Sequence, residues 1–300
     1  MTFEPGTLWS KTIDRTKKAL RTGSLHPIST KSTFVHDGGV DFLVRIVSSL
    51  ARKSEEKKEF KRKTSVEKQQ INPFLPYEKN MFVTDISDTH VCLLNKFNVI
   101  DHHLLIVTRS FEDQESLLTL QDFEAIWTCM TEFDGLVFYN GGEIAGASQR
   151  HKHLQMIPLP MANREPKVPT ETLITLARFE GNLGVVPGLP FVHALTRLVP
   201  ALIECPQDAA KTLLKLYRAM LYAVGLNSPS APACSKQSGP YNLLLTREWM
   251  LLVPRSEEFF ESISVNALGF AGALLVQNEL QMQLLKNTGG MIVLKRVSVI

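Results

Sequence analysis

The chain has 300 residues, long for one domain and enough for two, with 44% apolar and 21% charged residues. A core of ordinary size can be buried without disulfide staples, and a net charge of +3 is too small by itself to mark a nucleic-acid binder. The four cysteines, at 92, 129, 205 and 234, form no C-x-x-C pair, which argues against a zinc ribbon or a thioredoxin-like motif and fits a reducing cytosol.

The N-terminal stretch "MTFEPGTLWSKTIDR" has no apolar signal core, and no apolar run reaches transmembrane length. A cytoplasmic protein with no membrane or nucleic-acid partner is expected. From Arg52 to Lys68 eight Lys/Arg face four Glu, a pattern of a solvated loop. Lys53 at its start could instead reach an anionic ligand. "NMFVTDI", "HVCLLNKF" and "HHLLIVT" are short, apolar and bounded by polar turns, so they predict neighbouring antiparallel strands. Cys92 and Cys129 fall in apolar segments and read as small core residues.

"LLTLQDFEAIWTCMTEF" changes period: Leu120, Phe123, Trp127 and Met130 recur at helical spacing. "GLVFYN" and "HKHLQMIPL" return to strand on either side of a glycine-rich loop, "GGEIAGASQ". Residues 161–190 are dense in Pro and Gly, which predicts a connection between domains. "DAAKTLLKLYRAMLYAVG" predicts a helix with Asp208 as N-cap and Gly225 as C-cap. "YNLLLTREWMLLVP" predicts a hairpin turning at Thr246-Arg247-Glu248, and the segment from Asn266 is ambiguous between strand and helix. No internal repeat is clear. The interleaving predicts an α+β class, with residues 1–162 as one domain, 163–190 as linker and 191–300 as a second, smaller α/β portion.

The stretch "GASQRHKHLQMIPLP" concentrates the polar chemistry. On a strand, His151, His153 and Gln155 point to one side, roughly 6.5–7 Å apart, and Lys152, Leu154 and Met156 to the other. Leaving such polar groups buried without partners costs about 1–3 kcal/mol each, so a polar ligand explains them better than a core. Gly141, Gly142 and Gly146 allow the backbone to approach that ligand, and Ser148 and Gln149 add donors. A lone H-x-H fits a surface strand, a metal pair or a nucleophile with its helper. The metal reading lacks a third ligand, because Gln155 is a poor one for zinc. The glycine loop favours phosphate chemistry, with a neutral imidazole attacking phosphorus.

"FYNGGEIAGASQRHKHLQMIPLP" resembles the diadenosine tetraphosphate phosphorylases, also called ATP adenylyltransferases, on the transferase branch of the histidine-triad superfamily. "NPFLPYEKNMFV", "CLLNKFNVIDHHLLIVTRSFEDQ", "YNLLLTREWMLLVPRS" and "NALGFAGALLV" extend the resemblance over roughly residues 40 to 280. It implies a histidine-triad-like, mostly antiparallel sheet with covering helices, and a C-terminal domain of the ATP adenylyltransferase type. It also implies reversible phosphorolysis of diadenosine tetraphosphate to ATP and ADP, with His153 as the nucleophile that carries the adenylyl group. His151 and Gln155 would assist, Gln155 holding a phosphate oxygen where hydrolytic relatives carry a third histidine.

By the same resemblance Lys53, Asn95, Lys96, Asn140, Gly146, Ala147, Ser148, Gln149, Asn266, Ala267 and Leu268 bind substrate. The family often has a lysine shortly after "GALLV"; here Gln277 follows. A divalent cation, Mg²⁺, is expected with the nucleotide and no protein zinc site. The partners implied are nucleotides and phosphate, and the chain is expected to be monomeric. Two alternatives are a sugar-1-phosphate nucleotidyltransferase of the same superfamily and a non-catalytic sensor of dinucleotide polyphosphates. Lys152 where the former has proline argues against it, and retention of His151, His153 and Gln155 argues against the latter.

Overall fold

The computed structural model describes residues 3–47, 72–199, 206–227 and 236–300. The basic run with Lys53, and Cys205 and Cys234, lie outside these. The chain opens with helix α1 (Leu8–Arg21). Strands β1 (Thr30–Asp37) and β2 (Val40–Val47) then make an antiparallel hairpin across Gly38 and Gly39, at φ 55° and 81°, conformations a side chain would strain.

Next come β3 (Phe82–Asp85), β4 (His90–Leu94), β5 (Leu104–Thr108), helix α2 (Leu120–Glu132), β6 (Gly135–Gly141) and β7 (His153–Pro158). After the single turn α3 (Glu171–Ile174) the same succession returns. It runs β8 (Arg178–Glu180), β9 (Leu183–Val185), β10 (Ala194–Arg197), helix α4 (Pro206–Ala223), β11 (Tyr241–Leu245) and β12 (Trp249–Pro254). The hairpin β13 (Phe259–Phe260) and β14 (Ile263–Ser264), the turn α5 (Ala267–Phe270), strand β15 (Ala273–Val276) and helices α6 (Glu279–Thr288) and α7 (Gly290–Arg296) complete the chain.

The ten-stranded sheet has the order β3-β4-β5-β7-β6-β11-β12-β10-β9-β8. Each half therefore repeats one topology, three strands, a helix and two more strands, and the halves meet where β6 pairs antiparallel with β11. Sequence patterning gives no repeat here because the halves share strand order and not residues. The only parallel pairing among the described strands joins β2 to β15, so the N-terminal hairpin is completed by the C-terminal segment. The class is α+β, as expected.

The two faces of the sheet are covered differently. Val137, Tyr139, Leu154 and Met156 share one core with Phe123 and Trp127 of α2 and Leu213 and Tyr217 of α4. Leu136, Phe138 and Ile157 share the other with Phe42 and Val44 of β2, Phe270 of α5 and Leu274 of β15. Central strands β4, β5, β11 and β12 are buried along their whole length, which is why they are mainly apolar and do not alternate, with His90, Thr108 and Asn242 as the buried polar exceptions. Cys92 and Cys129 are core residues, and burial pushes both thiols up.

Helix α2 starts at a capping box: Thr119 Oγ1 accepts from Asp122 N at 3.3 Å, and Thr119 N donates to Asp122 Oδ2 at 2.6 Å. Helix α4 begins at Pro206, so Asp208 lies in its first turn and is not its N-cap. Gly225, at φ 77°, closes that helix as expected. The stretch 163–190 is folded and not a bare connection. It carries α3, β8 and β9 and buries Val168, Leu173, Val186 and Leu189, its Pro and Gly residues serving short turns inside the fold.

Candidate active site

Strand β7 is held between β5 and β6, with Gln155 opposite Leu105 on one side and Phe138 on the other. His153 opens the strand. Its Nδ1 lies 2.8 Å from the His151 carbonyl oxygen. A carbonyl only accepts, so Nδ1 carries the proton and Nε2 keeps its lone pair. No described residue hydrogen-bonds Nε2. Burial pushes the His153 pKa down to about 4, against the opposing effect of the hydrogen bond that Nδ1–H donates to the His151 carbonyl. The ring is therefore neutral across the physiological range, which is the state a nitrogen nucleophile needs.

His151 has a different place from the one expected. Regular strand begins only at His153, and His151 sits on an isolated bridge to Asp113, so strand alternation does not reach it. Its Nε2 donates to the Thr108 carbonyl at 2.8 Å and its Nδ1 accepts from Asn72 Nδ2 at 2.9 Å. Both ring nitrogens are occupied, and burial lowers the pKa of this ring too. What His151 presents to His153 is its backbone carbonyl.

Lys152 points away from both histidines, as the strand reading expects, but it is fully buried. Its Nζ donates to Asp122 Oδ2 at 2.6 Å, Glu112 Oε2 at 3.0 Å and the Leu117 carbonyl at 3.2 Å. Asp122 also meets His90 Nε2 at 3.0 Å. Burial alone would raise the Asp122 pKa, yet His90 and Lys152 hold it at about 2. The conspicuous charge of H-K-H thus pins the back of the strand to α2.

Behind His153, Gln114 acts as a clamp that sequence reading missed. Its Oε1 accepts from His153 N at 2.8 Å, and its Nε2 donates to the Asn140 and His153 carbonyls at 2.9 and 3.1 Å. The glycine-rich loop between β6 and β7 is held from the far half of the sheet. Asn140 Oδ1 accepts from Asn242 Nδ2 and from Ala267 N, both at 2.9 Å. Asn242 also binds the Ala145 carbonyl at 2.9 Å, and buried Arg255 donates to Asn242 Oδ1 at 2.6 Å. Gly146, at φ 89°, lies so close to Asn266 that an added Cβ would come within 2.8 Å of the Asn266 Cβ. Asn242 and Arg255 left no signal in the sequence because they act across the β6–β11 seam.

A cleft of about 420 Å³ opens between this loop and the C-terminal segment. Its polar end holds Asn140, Gly146, Ser148 and Gln155, and its apolar end Phe97, Ile100 and Leu274. Asn95, Asn266 and Leu268 also line it, while Asn266 caps α5 through Leu268 N at 3.0 Å. Ala267 is buried with its N–H given to Asn140, so it supports the wall without lining it. Ala147, Ser148 and Gln149 face a neighbouring cleft of about 560 Å³ beside Gln114 and Arg150. Ser148 belongs to both clefts. Lys96 lines neither; its Nζ pairs with Glu78 at 2.8 Å near the surface. Lys53 lies outside the described residues. Among the described residues no three His, Cys, Asp or Glu side chains converge as a metal set, and no helix is long and apolar enough to cross a membrane.

The sequence matches two family models, described as the Ap4A phosphorylase N-terminal domain over residues 1–176 and the ATP adenylyltransferase C-terminal domain over residues 187–300. Protein APA1 of Saccharomyces cerevisiae is 26% identical over 298 residues, 92% of this chain and 88% of its own length. Diadenosine 5',5'''-P1,P4-tetraphosphate phosphorylase 2 of the same yeast is 28% identical over 232 residues, 69% of each chain. The crystal structure of yeast Ap4A phosphorylase Apa2 in complex with Ap4A shares the fold, with a TM-score of 0.74 at 23% identity, covering 97% of this chain and 96% of that one.

Proposed function

Because the chain belongs to the Ap4A phosphorylase family, whose members are also called ATP adenylyltransferases, we propose that it catalyses reversible phosphorolysis of diadenosine tetraphosphate to ATP and ADP. The observation that carries this is His153: Nδ1–H fixed on the His151 carbonyl, Nε2 unprotonated, and a pKa near 4.

In the forward direction the Nε2 lone pair attacks the α-phosphorus in line. The bond from that phosphorus to the oxygen bridging to the next phosphate breaks, ATP leaves, and the adenylyl group stays on Nε2. An oxygen of inorganic phosphate then attacks the same phosphorus, the P–N bond breaks, and ADP is released. Charge that develops on the imidazole is stabilised through Nδ1–H and the His151 carbonyl. Ser148 and Gln149 supply donors to phosphate oxygens, as does Asn140, while Gly146 N and Ala147 N donate to the Glu143 and Gly142 carbonyls at 2.8 and 3.1 Å and so shape the loop. Gln155 holds an oxygen but is no base toward water, which favours phosphate as the acceptor.

Asn95, Asn266 and Leu268 contact the nucleoside end in this reading, Lys53 meets the polyphosphate, and His151, Lys96 and Ala267 serve as supports. Mg²⁺ travels with the polyphosphate, bound by its oxygens rather than in a protein cage. The histidine-triad-like description fits the two repeated halves of the sheet, and a cytoplasmic monomer fits the substrate and the site completed within one chain. The test uses diadenosine tetraphosphate labelled in the α-phosphate, without acceptor phosphate. Wild type should retain acid-labile, base-stable adenylyl on the protein, and His153→Ala should not. Equal labelling of the two would sink the mechanism.

A further inference from the structure

Arg45 interrupts the mainly apolar strand β2, "VDFLVRIV". It pairs in register with Leu275 of β15, and residues opposite one another in a sheet share a face. Both line the cleft of about 420 Å³ that holds Asn140 and Gln155. The guanidinium is therefore carried to the candidate site by the N-terminal hairpin, from outside the ten-stranded sheet. The side chain is half-buried, and its Nε is fully buried with no hydrogen-bond partner. Asp101 acts on it only through its field, the two making no ion pair. Burial lowers the guanidinium pKa against that field, yet an arginine that starts from 12.5 stays charged at neutral pH. A cation that has lost water and gained no counter-ion is costly to keep, so it calls for a reason.

The two clefts differ in charge. Asp113, Glu115, Glu143 and Glu258 line the larger one, and its Arg150 pairs with Asp113 at 3.0 Å. No carboxylate lines the smaller one, and Arg45 is the one cationic side chain among the described residues that does. His103 also lines it, but burial pushes its pKa down to about 4 and keeps the ring neutral. A tetraphosphate bridge is a polyanion, so the body of it is better accommodated in the smaller cleft. Base and ribose are neutral and do not need a cation. A planar guanidinium presents paired N–H donors that match the oxygens of a phosphate.

We propose that Arg45 is a substrate-binding residue whose guanidinium takes a phosphate oxygen of the tetraphosphate, a step that rests on the reading of the chain as acting on diadenosine tetraphosphate. The buried Nε–H then gains the acceptor it lacks, and the cation its counter-ion. Arg45 takes no part in making or breaking bonds in this account. Its contribution is to binding, so it acts on KM.

The experiment is isothermal titration of the full chain with two probes, inorganic tripolyphosphate and adenosine, beside phosphorolysis kinetics. Arg45→Met keeps an unbranched stem and removes the charge. It should weaken tripolyphosphate binding about tenfold or more and adenosine binding less than about twofold. KM for diadenosine tetraphosphate should rise about tenfold, with kcat within about twofold. Arg45→Lys, a point charge without the fork, should recover part of both losses. Unchanged tripolyphosphate binding in Arg45→Met overturns the proposal, and wild-type turnover of the dinucleotide leaves the functional reading standing. Equal loss of both probes, or loss of adenosine alone, also overturns it, since Arg45 would then hold the cleft wall or the nucleoside. A wild type that leaves the dinucleotide intact removes the functional reading and, with it, the assignment of the phosphate. A second measurement does not depend on the Met variant folding. In wild-type ¹⁵N–¹H spectra the Arg45 Nε–H signal, assigned by its loss in Arg45→Lys, should shift downfield with tripolyphosphate and stay in place with adenosine. A signal that tripolyphosphate does not move overturns the proposal.

Discussion

The two halves of the ten-stranded sheet share one strand order and divide the labour unequally. In the first half, β6 and β7 are joined by residues 142–152, a loop that turns through Gly142 and Gly146 at φ 91° and 89°. In the second, β11 and β12 are joined by Thr246-Arg247-Glu248 alone. The long loop borders both clefts and the tight turn lines neither. The paired closing strands differ in the same way. β7 reads "HLQMIP", with Gln155 at the cleft and His153 buried beside it, whereas β12 reads "WMLLVP" and is buried throughout. Identical topology therefore specifies neither site; the connection length and two polar positions do. The second half contributes Asn242 and Arg255, which brace the loop of the first.

The largest test of this division is His153→Ala. If chemistry resides in the first half alone, kcat should fall by about 10⁴-fold or more with folding intact, since β12 carries no histidine to take the proposed role. A circular dichroism melt beside the assay separates the two effects. Lys152→Met removes the cation from a buried carboxylate and should cost about 3–5 kcal/mol in urea unfolding. A cost below about 1 kcal/mol would mean that Asp122 is held by His90 and the capping box alone.

Arg255→Met tests the bracing role of the second half. It strands Asn242 Oδ1 and the Val297 carbonyl, and about 2–3 kcal/mol of stability should go. Activity should fall as well, because Asn242 also holds the Ala145 carbonyl in the loop. Gly146→Ala should cost about 1–2 kcal/mol for a side chain at positive φ and lower kcat/KM up to about 10²-fold by displacing the loop from Asn266.

The last test is of pH. His153 and His103 both have folded pKa values depressed from 6.5 to about 4. As pH falls below 6.5 the unfolded chain binds protons that the folded chain refuses until about 4, so stability present above 6.5 is lost across that window. The acid limb of kcat/KM should likewise sit well below 6.5.

The parts of this site that are legible in the sequence are those that lie close together in it. His153, Gln155, Gly146 and Ser148 fall within ten residues, and loop and strand chemistry can be read directly from such a stretch. Gln114, Asn242 and Arg255 come from separate strands and loops, and their roles exist only once the sheet has been assembled. Strand alternation also fails by two residues at His151, where a bridge to Asp113 replaces regular pairing. The hairpins β3–β5 and β11–β12 are readable because their buried strands are short, mainly apolar runs between polar turns. Strand β1, "TKSTFVHD", is mostly exposed and weakly patterned, and its fold depends on β2, itself completed by β15 some 230 residues later. Helix α1 buries only Leu8, Thr12 and Ala19, too thin a stripe to announce itself.

The seam between β6 and β11 has one more consequence. Residues 137–141 pair with 241–245, so a fragment that stops near residue 162 would carry β6 as a bare edge, apolar except for Asn140 and the Tyr139 hydroxyl. Such an edge is a template. Two copies of the fragment could close antiparallel on each other and rebuild a sheet of similar breadth, now with a glycine loop and a His153 on each side. Fusion of two halves in one polypeptide removes that choice of partner. Within one polypeptide the seam is an internal joint, with β11 as the fixed cover of β6.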